Sequence, residues 1–116
     1  MFHVKRVFKS KPGKAREVAT LAHKAAKNYN DAGQREEGFR VYFNIGTTPG
    51  EKNIVVLSWT ADSLESVFRG ENDVPKANIK IWKTLVSLTE DNWIEFDEFL
   101  TDEKMVDVQS YIDAIK

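Results

Sequence analysis

The stretch Phe39-Arg-Val-Tyr-Phe-Asn-Ile45, followed after eight residues by Ile54-Val-Val-Leu-Ser-Trp59, decides the fold of this chain. Apolar residues alternate with polar ones in part of the first segment, and the second segment is almost wholly apolar. Both patterns are typical of β-strands. Pro49-Gly50 lies in the connecting segment and is a turn signal. The sequence therefore predicts a β-hairpin at the centre of the chain.

Helices and further strands are predicted on both sides of the hairpin. A strand over residues 2–11 and a helix over residues 12–32 precede it. A short helix near residue 62, a second helical segment from residue 75 and a strand over residues 93–100 follow it. This βαββαβ order, with right-handed crossovers, predicts a ferredoxin-like α+β domain whose antiparallel sheet has the order 4-1-3-2.

The domain is expected to occupy residues 1–100. Residues 101–116 form an extra element in which Met105, Val108, Ile112 and Ile115 follow helical spacing, with Asp102 as a potential cap. We expect this C-terminal helix to pack on the domain or on a partner subunit.

Composition limits the functions that are open to the chain. It has 116 residues, 41% of them hydrophobic, a net charge of −1 and no cysteine. This describes one globular domain without disulfides or thiolate metal sites, and without a global charge that favours nucleic acid or an anionic membrane. No signal peptide or membrane span is evident, so a cytoplasmic protein is expected.

Charge is unevenly distributed along the sequence. The basic residues from Lys5 to Arg16 precede the first acid, Glu17, whereas only acids occur between Lys83 and Lys104. A phosphate- or RNA-binding patch is one interpretation of the basic segment. The predicted topology favours another, because it makes the first and fourth strands antiparallel neighbours whose charges neutralise each other.

The predicted strands are apolar on more than one face. In the third strand Ile54 and Val56 share one phase, while Val55, Leu57 and Trp59 share the other. A sheet with helices on one side only would expose such a second face to water. A second copy of the sheet is the better cover, so we predict a homodimer with two-fold symmetry.

Two segments resemble a known group of proteins. They are the first strand with Lys11-Pro12-Gly13-Lys14, and Ile54-Val-Val-Leu-Ser-Trp-Thr-Ala-Asp-Ser-Leu-Glu-Ser-Val-Phe68. The chain is similar over roughly residues 1–100 to the dimeric α+β barrel group. This group includes antibiotic-biosynthesis monooxygenases, haem-degrading enzymes and uncharacterised members, several from marine metagenomes. The resemblance implies a barrel formed by two facing sheets.

The same resemblance implies two contrasting kinds of site. In the haem-degrading branch a Trp at the position of Trp59 works with an amide on the first strand and an axial His. Here those positions hold Lys5 and either Asn78 or Ile79, so haem has no obvious ligand and no cofactor is expected. The cofactor-independent monooxygenases bind their substrates with Asn, Tyr and Trp, for which the candidates are Tyr42, Asn44, Trp59 and Trp82.

The two histidines, His3 and His23, lie on different predicted elements, and no metal site is expected. His3 and Lys5 share a strand phase. If that phase faces a cavity, the pair would bind a carboxylate head group, or His3 would act as a general base. The alternative is an ion pair with Glu95 or Asp97 on the adjacent strand.

The leading hypothesis is a homodimer that binds a small apolar ligand, fatty-acid-like or aromatic, in a pocket between sheet and helices. The alternatives are a cofactor-independent monooxygenase-like enzyme and a structural or interaction module without a ligand. Whether the protein is an enzyme is left open, and no catalytic residue is assigned. The candidate ligand-binding residues are His3, Lys5, Tyr42, Asn44, Trp59 and Trp82.

Overall fold

The computed structural model describes residues 1–31, 38–44, 52–61 and 76–116. Within these ranges four strands form one antiparallel sheet, with two long helices and a short C-terminal helix. The strands are β1 (Phe2–Ser10), β2 (Arg40–Phe43), β3 (Ile54–Ala61) and β4 (Thr89–Glu98). The helices are α1 (Ala15–Asp31), α2 (Lys76–Ser87) and α3 (Gln109–Ala114).

The strand order in the sheet is β2-β3-β1-β4. This is the predicted order 4-1-3-2 counted from the opposite edge, and it confirms the ferredoxin-like α+β fold. Strand β1 lies between β3 and β4 and pairs antiparallel with both, so that Val4 is opposite Trp59 on one side and Phe96 on the other.

The register assigns the strand residues to two faces, because successive side chains in a strand point to opposite sides. Phe8 and the strand residues on its side of the sheet form the helix-covered face, which packs against α1. The alternate residues of each strand form the opposite side, here called the open face. On the helix-covered face the rows are Val4/Trp59/Phe96, Arg6/Leu57/Ile94 and Phe8/Val55/Asn92. On the open face they are His3/Thr60/Asp97, Lys5/Ser58/Glu95 and Val7/Val56/Trp93.

Helix α1 packs on the sheet with a stripe of small residues. Val18, Ala22 and Ala25 recur at helical spacing and are fully buried. Alanine side chains let the helix backbone approach the strands closely, so that the aromatic ring of Phe8 and the Leu85 side chain of α2 complete the core. The helix follows a turn in which Gly13 has a φ of +78°, a conformation that glycine adopts without steric cost.

Two element boundaries differ from the prediction by four residues or more, and others, such as the start of α1 at Ala15 instead of residue 12, by fewer. Strand β4 begins at Thr89 instead of residue 93, because Ser10 pairs with Thr89 beyond a bulge that follows Lys9. Residues 101–116 contain a 3-10 helix (Asp102–Lys104) and an α-helix (Gln109–Ala114) in place of one helix from residue 102. Asp102 does not cap the first of these, because Thr101 is at its N-cap position. The start of the α-helix is fixed by Asp107, whose Oδ1 accepts a hydrogen bond of 2.9 Å from the backbone of Gln109. The β-branched residues before that point disfavour helix.

The predicted short helix near residue 62 and the turn at Pro49-Gly50 lie outside the described residues. Of the helices that the structure describes, none is long and apolar enough to cross a membrane.

Candidate functional site

Lys5 lies at the centre of the open face between two carboxylates of β4. Its Nζ is 3.1 Å from Oδ2 of Asp97 and 3.6 Å from Oε2 of Glu95. The hydrogen bond to Asp97 raises the pKa of Lys5 above its ordinary value of 10.5, and partial burial offsets this only in part. Both carboxylates are therefore already paired with a cation of the same chain.

Two other candidates, His3 and Tyr42, lie on the same open face. The ring of His3 is tilted against that of Phe99 with the centroids 6.4 Å apart. Tyr42 is opposite Val56 in the neighbouring strand, and 47% of its surface is exposed. They lie on the same side of the sheet as Lys5. The middle of this face is shielded from solvent, since Val56 is only 8% exposed.

Trp59 and Trp82 lie on the opposite side of the sheet. Both are partly buried and pack against the hydrophobic core beneath the helices. Trp82 extends from α2 toward Phe8 of β1, with the ring centroids 6.0 Å apart. Both residues keep part of their surface accessible to solvent.

Asn44 follows the last residue of β2 and lines an open cleft of about 460 Å³. Its backbone N–H donates to the carbonyl of Ile54, which continues the pairing of the hairpin by one residue. The cleft lies at the end of the sheet beside the start of α1. Its described lining includes Gly13, Arg16, Phe43 and Asn53.

The six candidates therefore do not form one cluster. His3, Lys5 and Tyr42 belong to the open face, Trp59 and Trp82 to the helix-covered face, and Asn44 to the cleft at the sheet end. Among the residues that the structure describes, no group of three or more His, Asp or Glu side chains is arranged to hold a metal ion.

Arg6 is not among the site residues predicted from the sequence. It lies on the helix-covered face beside the aromatic rings of Phe8 and Trp82, whose centroids are 5.7 and 5.5 Å from its Cζ. Burial lowers the pKa of its guanidinium, while Tyr29 has a smaller opposite effect. Its Nε is buried without a hydrogen-bond partner. The signal in the sequence was a charged residue in phase with Phe2, Val4 and Phe8.

A buried amide joins the two long helices near this site. Asn78 of α2 is fully buried. Its Nδ2 donates to the carbonyl of Ala25 at 3.1 Å, and its Oδ1 accepts a hydrogen bond of 2.8 Å from Nδ2 of Asn28. Because both ends of the amide are paired within the chain, Asn78 fixes α2 against α1 and thereby the position of Trp82.

No family model matches the sequence, and no curated protein shows significant similarity to it. Solved structures do resemble it. An uncharacterized NIPSNAP domain protein from Burkholderia xenovorans is 16% identical with a TM-score of 0.65, and the match covers 88% of this chain and 97% of that one. An antibiotic biosynthesis monooxygenase is 8% identical with a TM-score of 0.61, covering 87% and 100%.

A dimeric protein of unknown function and ferredoxin-like fold from Bacteroides fragilis is 20% identical, with a TM-score of 0.59 and coverage of 84% and 95%. At these levels of identity the likeness concerns the fold alone. The chain thus has the ferredoxin-like fold that NIPSNAP and antibiotic-biosynthesis-monooxygenase-like proteins also have. The sequence predicted the likeness to the second group and not the likeness to NIPSNAP proteins.

Proposed function

We propose that this protein is a homodimer that binds a small, largely apolar molecule between its sheet and its helices. The observation that carries the proposal is the partial burial of Trp59 and Trp82. Both indoles pack on the core of the helix-covered face, yet neither is enclosed by the described residues. Ligand sites are typically concave, aromatic-lined and supplied with few polar groups. The cytoplasmic location expected from the sequence stays a prediction.

The three tryptophans allow the site to be tested directly, because Trp93 lies on the open face and the other two do not. Protein purified under native conditions would be examined by native mass spectrometry and by solvent extraction for a bound molecule. We expect Trp59→Phe and Trp82→Phe to lower the occupancy and Trp93→Phe to leave it unchanged. Equal occupancy in all three variants, or an empty wild-type protein that takes up no apolar probe, would contradict the proposal.

Exposed apolar side chains support the homodimer. Residues 101–116 are all exposed, and among them Tyr111, Ile112 and Ile115 are large hydrophobic groups, with Ile115 81% exposed. Trp93 and Tyr42 add exposed aromatic surface to the open face. Monomers rarely leave so much apolar surface in water. We propose that the open faces pack together and that the C-terminal helix covers part of the partner subunit.

Sedimentation of the full chain tests this arrangement. The wild type is expected to sediment as a dimer, whereas Ile112→Asp and Ile115→Asp weaken the dimer at micromolar concentration. Ser110→Asp is the matched control, because it adds the same charge to the same helix at a polar position. A monomeric wild type would refute the dimer. A dimer that is unaffected by either isoleucine variant would refute the role of the helix.

Cofactor-independent oxygenase activity is a second candidate. It is favoured by the likeness of the fold to a structure named as an antibiotic biosynthesis monooxygenase, together with the indole of Trp59 on the helix-covered face. Oxygen uptake with an anthrone- or quinol-type substrate would test it, with Trp59→Phe expected to lower the rate and Asn44→Ala, in the separate cleft, expected to leave it unchanged. No turnover across such a panel would leave binding alone, and a protein with neither turnover nor ligand would be an interaction module.

A further inference from the structure

Arg6 carries a positive charge into the apolar layer of the domain. It is in phase with Val4 and Phe8 on β1, so its side chain lies on the helix-covered face. The guanidinium is within cation–π distance of Phe8 and Trp82. Such contacts stabilise a partly buried arginine, but they satisfy none of its N–H donors.

The hydrogen bonds of Arg6 are few. One Nη donates to Oδ1 of Asn92 over 3.4 Å, which is at the long limit for such a bond. The Nε is fully shielded from solvent and has no partner. Among the described residues, the ion pairs with carboxylates involve Lys5, Lys9 and Lys104, and none involves Arg6.

A buried donor without an acceptor is costly, and native structures rarely leave one unexplained. The two Nη groups of an arginine form a planar fork that matches the two oxygens of a carboxylate, and because the Nε of Arg6 is shielded, a ligand would contact the side chain at these outer groups. The surroundings of Arg6 are aromatic and apolar, which matches the body of an amphiphile. Tyr29 at the end of α1 is near enough to influence the guanidinium electrostatically.

We propose that Arg6 binds the carboxylate of an amphiphilic ligand whose apolar body lies against Trp82 and the neighbouring aromatic rings. This inference rests on the proposed ligand site and names the chemical class that the site takes: a monocarboxylate with an apolar chain or ring. It also assigns the polar head group to the helix-covered face, away from Lys5, whose charge is matched by Asp97 and Glu95.

A matched pair of fluorescent probes tests the charge. 8-Anilinonaphthalene-1-sulfonate is anionic, and N-phenyl-1-naphthylamine has the same aromatic body without the sulfonate. We expect the wild type to bind the anionic probe more tightly. Arg6→Met is expected to lose about tenfold or more in affinity for the anionic probe and little for the neutral one. Arg6→Lys, which keeps the charge but lacks the planar fork, is expected to be intermediate.

Lys5→Met is the control, since it removes one positive charge from the adjacent residue on the other face of the same strand. It is expected to keep the preference for the anionic probe. Circular dichroism of each variant establishes that the fold is retained, and Arg6→Gln replaces Arg6→Met if that variant does not fold. Competition identifies the carboxylate: decanoate is expected to displace the anionic probe from the wild type at lower concentration than decan-1-ol.

The probe measurements distinguish a wrong assignment of the anion-binding residue from the absence of a ligand site. If the wild type binds both probes and Arg6→Met keeps the same preference, Arg6 is not the anion-binding group although the apolar site exists. Equal displacement by decanoate and decan-1-ol would likewise overturn it. If neither probe binds to the wild type, the ligand site itself is wrong.

Discussion

Lys5 and Arg6 are adjacent cations on the central strand, and the structure gives them opposite surroundings. Lys5 is on the open face, where Asp97 and Glu95 neutralise its charge and raise its pKa. Arg6 is on the helix-covered face beside two aromatic rings, where burial lowers its pKa. The difference teaches that side-chain alternation along one strand places a cation that is paired with carboxylates next to a cation that has no carboxylate partner among the described residues.

The largest difference in stability between variants of the two faces is expected when an aromatic residue is replaced. Phe8 is 1% exposed in the core, whereas Tyr42 is 47% exposed on the open face. Phe8→Ala is expected to lower the free energy of unfolding by about 3–5 kcal/mol, because it removes buried surface and leaves a cavity. Urea unfolding under conditions that favour the monomer measures this. Tyr42→Ala should cost less than about 1 kcal/mol, and equal losses would remove the distinction between the faces.

The next effect concerns the link between the helices that cover Arg6. Asn78→Ala is expected to cost about 2 kcal/mol, because the carbonyl of Ala25 and the amide of Asn28 lose their partner. Thr84→Ala is the control on the same helix, since the Thr84 hydroxyl donates to the carbonyl of Lys80 at an exposed position. Thermal unfolding that shows the two variants to be equally stable would mean that Asn78 does not hold the helices together.

In the absence of ligand, replacing Arg6 is expected to raise the free energy of unfolding, whereas the substitutions described above lower it. Arg6→Met fills a similar volume with an apolar chain and removes a desolvated charge, so the free protein is expected to gain about 1 kcal/mol despite the lost cation–π contacts. Arg16→Met, at an exposed position on α1, should change stability little. A loss of stability in Arg6→Met, measured on ligand-free protein, would indicate that Arg6 has a structural role.

The smallest effect is expected for Lys5. Lys5→Met should cost less than about 1 kcal/mol, since the ion pairs are partly exposed to solvent. The pKa of Lys5 is raised in the folded state, so its contribution is complete below the ordinary value of 10.5 and is lost as the pH rises through the higher folded value. The difference in Tm between wild type and variant should therefore shrink above pH 10.5. A difference in Tm that stays constant above pH 10.5 would contradict a stabilising role for the ion pairs of Lys5.

Much of the fold could be predicted because it depends on local periodicity and on the handedness of crossovers. The strand order followed from these alone, and with it the pairing of Lys5 with Asp97 and Glu95, because antiparallel neighbours with a two-residue period bring those positions together. The division of the candidate site residues between two faces required knowledge of which phase faces the helices. The surroundings of Arg6 depend on where α2 places Trp82, and the sequence pattern of β1 does not predict the distance between these two residues.

The central position of β1 has a consequence for how the chain acquires its structure. Of the four described strands β1 is synthesised first, yet one of its two partners, β4, is synthesised last, and the backbone N–H of Phe99 closes the sheet by donating to the carbonyl of Met1 at 3.1 Å. Contacts this distant in sequence form slowly. On the ribosome, one edge of β1 therefore stays open until almost the whole domain has emerged, and during that interval it is a strand edge to which another nascent chain can pair.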